Sequence, residues 1–448
     1  MTAGTGDAAP ARARSLLIVG GGASGVLLAA QLLRRSPEVH VFLVERREEL
    51  GCGVAYSTSN ASHLLNTRVS NMSAFPDAPD HFYDWLTRNH DPQVERAGFV
   101  NRGIYGAYMS SLLAPWRGGA RLTCVKQDCL RLEAREEGGV AAQFANGDTV
   151  RADVAVLATG HALPDAGPDG LLEQPWSGAQ DGARGGRVLI VGSGLTMVDQ
   201  LMSLLDAGHR GEIVVISRRG LLPQPHAASI PAPIRIEDLP LGAGAAGTMR
   251  WLRDRTDAHL ARGGDWRDVV DGIRPHMQAL WRAFPADARR SFLRHACVWW
   301  EVHRHRMPPA SHARLQAAMR GGQLTLMRGA FLGAARDAEG GLRAELRPAG
   351  AAEARSLAVS RIIDCRGIRR DPEAHADPLV ADLLARGVAR IDPLRIGLDV
   401  APDCAVLGAD GAPSDRIYAV GPASRAAFWE ITAIPDIREQ VAQLARRL

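Results

Sequence analysis

The hydrophobic positions of this chain fall into two long apolar runs of the same internal order. The first is SLLIVGGGASGVLLAAQLL, Ser15–Leu33, and the second is RVLIVGSGLTMVDQLMSLL, Arg187–Leu205. Each starts with branched aliphatic residues, crosses a glycine-rich turn and continues with apolar residues at helical spacing, which predicts strand, turn and helix. Another apolar stretch follows each run, VHVFLVE ending at Glu45 and EIVVIS ending at Ser217. Alternating stretches come next: RLTCVKQDCLRLEA and VAAQFANG in the first half, QLTLMRGAFLGAARD and RAELRPAG in the second. Each half then closes on a strand ending in glycine, ADVAVLATG and SRIIDCRG. A unit of strand, helix, strand, three-stranded meander and last strand thus occurs twice. The predicted class is α/β, with two Rossmann-like dinucleotide-binding domains.

The glycine spacing says what each turn is for. In the first, Gly20 permits a tight turn, Gly22 lets the backbone approach a pyrophosphate, and Gly25 lets helix pack on strand. The helix start, with Ala23 and Ser24, offers free N–H groups to phosphate. Glu45, with Arg46 beside it, ends the next strand, where a carboxylate suits ribose hydroxyls and repels a ribose phosphate. FAD or NAD fits this site, and NADP does not. The second turn keeps Gly192 and Gly194, with Leu195 and Thr196 opening the helix, but has Met197 in place of a third glycine. No acid follows its second strand; Ser217, Arg218 and Arg219 stand there and suit a 2′-phosphate. NADPH is the expected ligand, with NADH the alternative if the two arginines are only solvated charges. Two sites of different taste are what transfer from a nicotinamide to a flavin requires.

Between the second turn region and the second meander lies a stretch of helical character. WRDVVDGIRPHMQALWRAF, Trp266–Phe284, has apolar residues at helix spacing, with Gly272 and Pro275 as interruptions. Further on, Trp299, Trp300, His303, Arg304, His305 and Arg306 crowd rings and cations together. Two readings stay open: a lid over nicotinamide or substrate, and helix packing with snorkelling arginines. The expected organisation is a disordered tail over 1–14, an FAD domain from 15–165 and 368–448, an NADPH domain from 180–240 and 321–367, and a helical insert over 241–320.

Composition narrows the rest. A net charge of +4 over 448 residues is too balanced to argue for nucleic acid. Lys126 is the only lysine, so Schiff-base chemistry has almost no candidate. Cys124 and Cys129 have the spacing of a flavin disulfide reductase pair but fall in the meander, which disfavours a redox role. No zinc spacing is present, so no metal is expected. Unpaired cysteines and the absence of a leader-like start fit a cytoplasmic protein. The run Ser15–Leu33 is uncharged, but its three consecutive glycines argue against a membrane span.

Several stretches resemble known flavoproteins. The double unit describes the two-dinucleotide-domain type, and Ala158-Thr159-Gly160 resembles its crossover between FAD and NADPH domains. DRIYAVGP, Asp415–Pro422, resembles the third FAD motif, with Gly421 retained and Pro422 where an acid is usual. After it, FWEITAIPDIREQVAQLARRL predicts a terminal helix with Pro435 in its first turn. The stretches Gly51–Leu86, Trp299–Pro309 and Gly421–Arg438 resemble the bacterial flavoprotein family containing a flavin-dependent urate hydroxylase and an aspartate N-monooxygenase. Cys52 departs from that pattern, which would have arginine. The resemblance implies FAD, NADPH and dioxygen, and a flavin hydroperoxide that hydroxylates a small nitrogen-containing substrate.

Urate is the first substrate expected. The alternatives are N-hydroxylation of an amino acid or small amine, and an NADPH oxidase or reductase without oxygen insertion. A nucleotide-binding sensor without turnover is disfavoured, because it needs only one site. FAD is expected at Gly20, Gly22, Ala23, Ser24, Gly25, Glu45, Arg46, Val125, Thr159, Gly160, Gly421 and Pro422. NADPH is expected at Gly192, Gly194, Leu195, Thr196, Ser217, Arg218 and Arg219. In the segment that passes along the flavin ring in the flavoproteins this chain resembles, Asn66 is expected to bond the ring or its peroxide, and Arg68 to meet an anionic substrate. His63 reads as a structural histidine, and no general base is assigned. Oligomeric state is left open.

Overall fold

The computed structural model describes residues 14–161, 170–176, 185–367 and 371–448. The tail expected over 1–14 lies outside them apart from Arg14. In chain order the first unit contains β1 (Ser15–Val19), α1 (Ala23–Arg35), β2 (His40–Val44), α2 (His81–Asn89), α3 (Arg102–Ser111), β3 (Leu122–Val125), β4 (Cys129–Ala134), β5 (Val140–Phe144), β6 (Thr149–Ala152) and β7 (Val154–Leu157). The second unit opens with β8 (Val188–Val191), α4 (Leu195–Asp206) and β9 (Ile213–Ser217). Six helices intervene: α5 (Gly244–Leu260), α6 (Trp266–Ile273), α7 (Met277–Ala283), α8 (Ala286–Ser291), α9 (Cys297–Arg304) and α10 (Pro309–Arg320). Then come β10 (Leu324–Arg336), β11 (Leu342–Pro348), β12 (Arg355–Val359) and β13 (Arg361–Asp364). The chain ends with α11 (Pro378–Ala385), β14 (Ala405–Leu407), β15 (Pro413–Ala419) and α12 (Ile434–Arg447).

The strands β1, β7 and β8 are almost continuously apolar because their sheets are covered on both faces. Leu16, Leu17 and Ile18 are wholly buried, as are Val188, Leu189 and Ile190. The first sheet runs β14-β15-β7-β1-β2-β3, so the C-terminal strands return to complete the sheet begun at Ser15. The second runs β12-β11-β10-β9-β8-β13. In both, the strand before the glycine turn pairs in parallel with the strand after the helix: Leu17 faces Phe42, and Leu189 faces Val214.

The two meanders differ in one respect. In the first half, β3 joins the parallel sheet and β4-β5-β6 form a separate antiparallel sheet. In the second, one long strand does both: β10 pairs in parallel with β9 as far as Arg328 and antiparallel with β11 from Gly329 on, with an irregularity between Phe331 and Gly333. The apolar stretch Trp266–Phe284 is interrupted where glycine and proline predict. Helix α6 stops at Ile273, a 3-10 turn spans Arg274–His276, and α7 resumes at Met277. The terminal helix starts at Ile434, with Pro435 in its first turn. No helix among the described residues is long and apolar enough to cross a membrane.

Candidate cofactor and substrate cleft

Local sterics at the two turns are nearly superposable in kind. Gly20 has φ of 109°, and a Cβ there would lie 2.3 Å from the Ala158 carbonyl oxygen. Gly192 has φ of 108°, and a Cβ there would lie 2.4 Å from the Cys365 carbonyl oxygen. Both glycines also donate to the strand after the helix, Gly20 to Val44 at 2.9 Å and Gly192 to Ile216 at 2.8 Å. Only glycine satisfies that left-handed backbone and that approach together. Gly22 and Gly194 are the N-caps of α1 and α4, and neither has a side-chain cap. The first-turn N–H groups are therefore left for a ligand, and the helix ends favour an anion.

Glu45 is held in place by backbone N–H groups. Its Oε2 accepts the Gly21 N–H at 2.9 Å and its Oε1 accepts the Arg47 N–H at 3.0 Å. Val125 contributes its carbonyl, which accepts the Glu45 N–H at 3.0 Å. Arg46 stands 3.8 Å from Asp128 on the exposed side. At the far end of the chain Gly421, with φ of 64°, abuts the Ser24 hydroxyl, where a Cβ would come within 2.3 Å. Its N–H donates to buried Gln440, which ties α12 to the turn. These constraints make a cradle that suits a dinucleotide diphosphate and its ribose.

One cleft of about 940 Å³ joins the two turns. Gly20, Gly22, Ala23, Ser24, Glu45, Arg46, Thr159, Gly160 and Pro422 line it from the first unit. Leu195 and Thr196 line it from the second, with Asp199 and Gln200 one turn further along α4. Gly25, Val125 and Gly421 are not part of the lining. Gly192, Gly194, Ser217, Arg218 and Arg219 lie outside the lining. The Ser217 hydroxyl takes bonds from the Ser193 hydroxyl at 2.8 Å and the Gly220 N–H at 3.1 Å. Arg218 and Arg219 are exposed, and neither has an ion-pair partner among the described residues.

The structure does not bring Asn66 and Arg68 into this cleft. The Asn66 carbonyl accepts from His226 Nε2 at 3.0 Å. Arg68 donates to the carbonyls of Ala97 and Ala227, each at 2.7 Å, with its guanidinium over the Phe99 ring. Its donors thus hold two loops from distant parts of the chain. His63 is held at both ring nitrogens, by Thr58 at 2.7 Å and by Ser203 at 2.8 Å, as a structural histidine is.

Sequence reasoning passed over Asp199. It lines the cleft, with its Oδ2 2.8 Å from Arg102 Nη1. Burial pushes its carboxyl up, while Arg102 and His63 act against that shift. The available signal was spacing: Asp199 is the first acid of α4, one turn after its uncapped start. His161, next to Gly160 in the lining, is pushed down to about 3 by burial and by Arg425.

The tryptophan–arginine cluster is packing. Trp300 is buried and donates from Nε1 to Glu430, and Arg304 Nε meets the same carboxylate at 2.9 Å. Arg306 is buried and paired with Asp271. Trp299 points outward. None of these residues lines the cleft. Cys124 and Cys129 are free thiols, with no disulfide between them.

Residues 17–162 match the family model described as FAD-NAD(P)-binding. An uncharacterized protein of Escherichia coli (strain K12), YdhS, is 24% identical over 264 residues, which is 50% of this chain and 49% of that protein. The matched region thus spans about half of that relative. An ornithine hydroxylase of Pseudomonas aeruginosa superposes with a TM-score of 0.63 at 15% identity, covering 97% of this chain and 98% of that one. An L-lysine 6-monooxygenase of Pseudomonas syringae gives 0.64 at 14% identity, covering 96% and 98%. A cadaverine monooxygenase of Erwinia amylovora, solved with FAD bound, gives 0.66 at 12% identity, covering 96% and 93%. The fold is that of the FAD/NAD(P)-binding flavoprotein monooxygenases. The urate hydroxylase expected from the sequence is not among these relatives.

Proposed function

We propose that this chain is an FAD- and NADPH-dependent monooxygenase that hydroxylates the nitrogen of a small amine or amino acid. The observation that carries the reading is the shared cleft. The uncapped amino termini of α1 and α4 open toward one space, so two dinucleotides bound there meet within it. Glu45 suits the ribose of FAD, and Ser217, Arg218 and Arg219 suit the 2′-phosphate of NADPH. Bound FAD supplies electron transfer from the nicotinamide and the activation of dioxygen. The chain's own residues hold the phosphates, set the two rings against each other and keep bulk water from the reacting atoms.

An amine is preferred over urate for two reasons. Structures of similar fold that cover nearly the whole chain include hydroxylases of ornithine, lysine and cadaverine, with TM-scores of 0.63, 0.64 and 0.66, above the 0.53 of a thioredoxin reductase. The cleft itself presents a carboxylate in Asp199, whereas Arg68, the cation expected to meet a purine anion, is committed to backbone carbonyls.

The test is NADPH consumption by the FAD-loaded protein in air, with hydrogen peroxide followed in parallel. Ornithine, lysine, cadaverine and urate are offered in turn. An amine that accelerates NADPH loss while peroxide stays low supports the reading. Acceleration by urate alone restores the sequence expectation. NADPH loss matched by peroxide with every compound marks an oxidase.

A further inference from the structure

We infer that Asp199 receives the protonated amine of the substrate and takes the proton that the nitrogen must lose before it is oxygenated. The inference rests on the amine reading above and names the residue that enforces it.

Four acids line the cleft: Glu45, Asp128, Asp199 and Asp377. Glu45 has both oxygens occupied by backbone N–H groups, those of Gly21 and Arg47. Asp377 caps α11, accepting the Val380 N–H at 2.9 Å. Asp128 is half exposed beside Arg46, at the Glu45 end of the cleft. Asp199 differs from all three. Arg102 takes its Oδ2 at 2.8 Å, and its Oδ1 has no hydrogen-bond partner among the described residues. A carboxylate in a sheltered site with one open oxygen is incomplete, and an ammonium completes it.

Three side chains surround it. Arg102 on α3 is a permanent cation. His63, from the loop between β2 and α2, has both nitrogens hydrogen-bonded, to Thr58 and Ser203. Cys365, at the end of β13, carries a thiol that burial and the neighbouring carboxylates of Asp364 and Asp199 hold well above its ordinary value. Burial raises Asp199 itself, which makes it a better base than an exposed carboxylate. In the step, one N–H bond of the ammonium breaks and an O–H bond forms on Oδ1. The electron pair of the broken bond stays on nitrogen as the lone pair that attacks oxygen. Desolvation of the ammonium lowers its own pKa and brings the two groups toward a match.

The experiment compares the wild-type holoenzyme with Asp199→Asn. Asparagine keeps a carbonyl for Arg102, and flavin absorbance together with reduction of FAD by NADPH confirms that the variant is assembled. With the amine that best stimulates the wild type, kcat/KM at pH 7 should fall roughly 10²-fold. The deficit should narrow as pH rises toward ~10, where free amine is abundant. A variant with unchanged kcat, KM and pH profile overturns the inference. If no amine stimulates the wild type, the amine reading has failed, and the Asp199 assignment falls with it. Should the variant not fold, titration of the oxidised wild-type holoenzyme decides the matter. The amine must perturb the flavin spectrum at concentrations at least about tenfold lower than its hydroxyl analogue. Equal binding of the two overturns the inference.

Discussion

A side-chain carbon on Gly25 would stand 1.8 Å from the carbonyl oxygen of Gly20. No rotamer relieves that contact, since both partners are backbone. Gly25→Ala must push α1 away from β1 and open the phosphate cradle. The expected cost is about 1–3 kcal/mol of stability together with loss of bound FAD. Flavin content after purification and a urea melt check it. The matching position in the second unit is Met197, so Met197→Ala should leave FAD content unchanged.

Arg218 and Arg219 are exposed at the end of β9, with no internal partner among the described residues. They are therefore free for a phosphate. Alanine at either position should raise KM for NADPH about tenfold and leave NADH almost unaffected. Steady-state flavin reduction with both nucleotides checks this. An equal effect on the two would remove the 2′-phosphate assignment.

Much of the frame was readable from local pattern. The two strand–turn–helix runs, Glu45 at its strand end and the close at Ala158–Gly160 all follow from periodicity and glycine spacing, because these interactions are made within one βαβ unit. What escaped depends on partners far along the chain. Arg68 reads as a free cation, yet one of its acceptors is Ala227, 159 residues away. The cluster Trp299–Arg306 reads equally as lid or core until Glu430 arrives from the C-terminal segment to bind Trp300 and Arg304. Asp199 looks like an ordinary helix acid until Arg102 and the cleft are placed beside it.

Glu430 is buried, has φ of 69°, and holds Arg304 Nε at 2.9 Å as well as the Trp300 indole. Glu430→Ala leaves Arg304, itself only 10% exposed, with the more distant Asp436 at 3.8 Å as its remaining carboxylate. The expected destabilisation is about 3–5 kcal/mol. Glu430→Gly loses the same carboxylate but relaxes the left-handed backbone, and should recover roughly 1 kcal/mol of that loss. Urea denaturation followed by tryptophan fluorescence separates the two variants.

Burial holds His226 down to about 4 and, aided by nearby arginines, His161 and His305 down to about 3. In the unfolded chain each titrates near ~6.5. The unfolded state therefore binds more protons below that pH, so the stability these rings confer is complete above pH ~6.5 and drains away as pH falls toward their folded values. Denaturation midpoints should be level from pH 8 to ~7 and decline from ~6 to ~4. His226 Nε2 donates to the Asn66 carbonyl, and His226→Gln can keep that donor without titrating. Its decline should be shallower than that of the wild type. An identical slope would contradict the buried-neutral assignment.

The account's central claim is that electrons from NADPH end in the oxygenation of an amine nitrogen. Its most direct test is turnover under ¹⁸O-labelled dioxygen with NADPH and the amine that best accelerates NADPH loss. The account predicts a hydroxylamine product carrying one labelled oxygen per NADPH consumed. Unmodified amine, with the label recovered only as hydrogen peroxide, would contradict it.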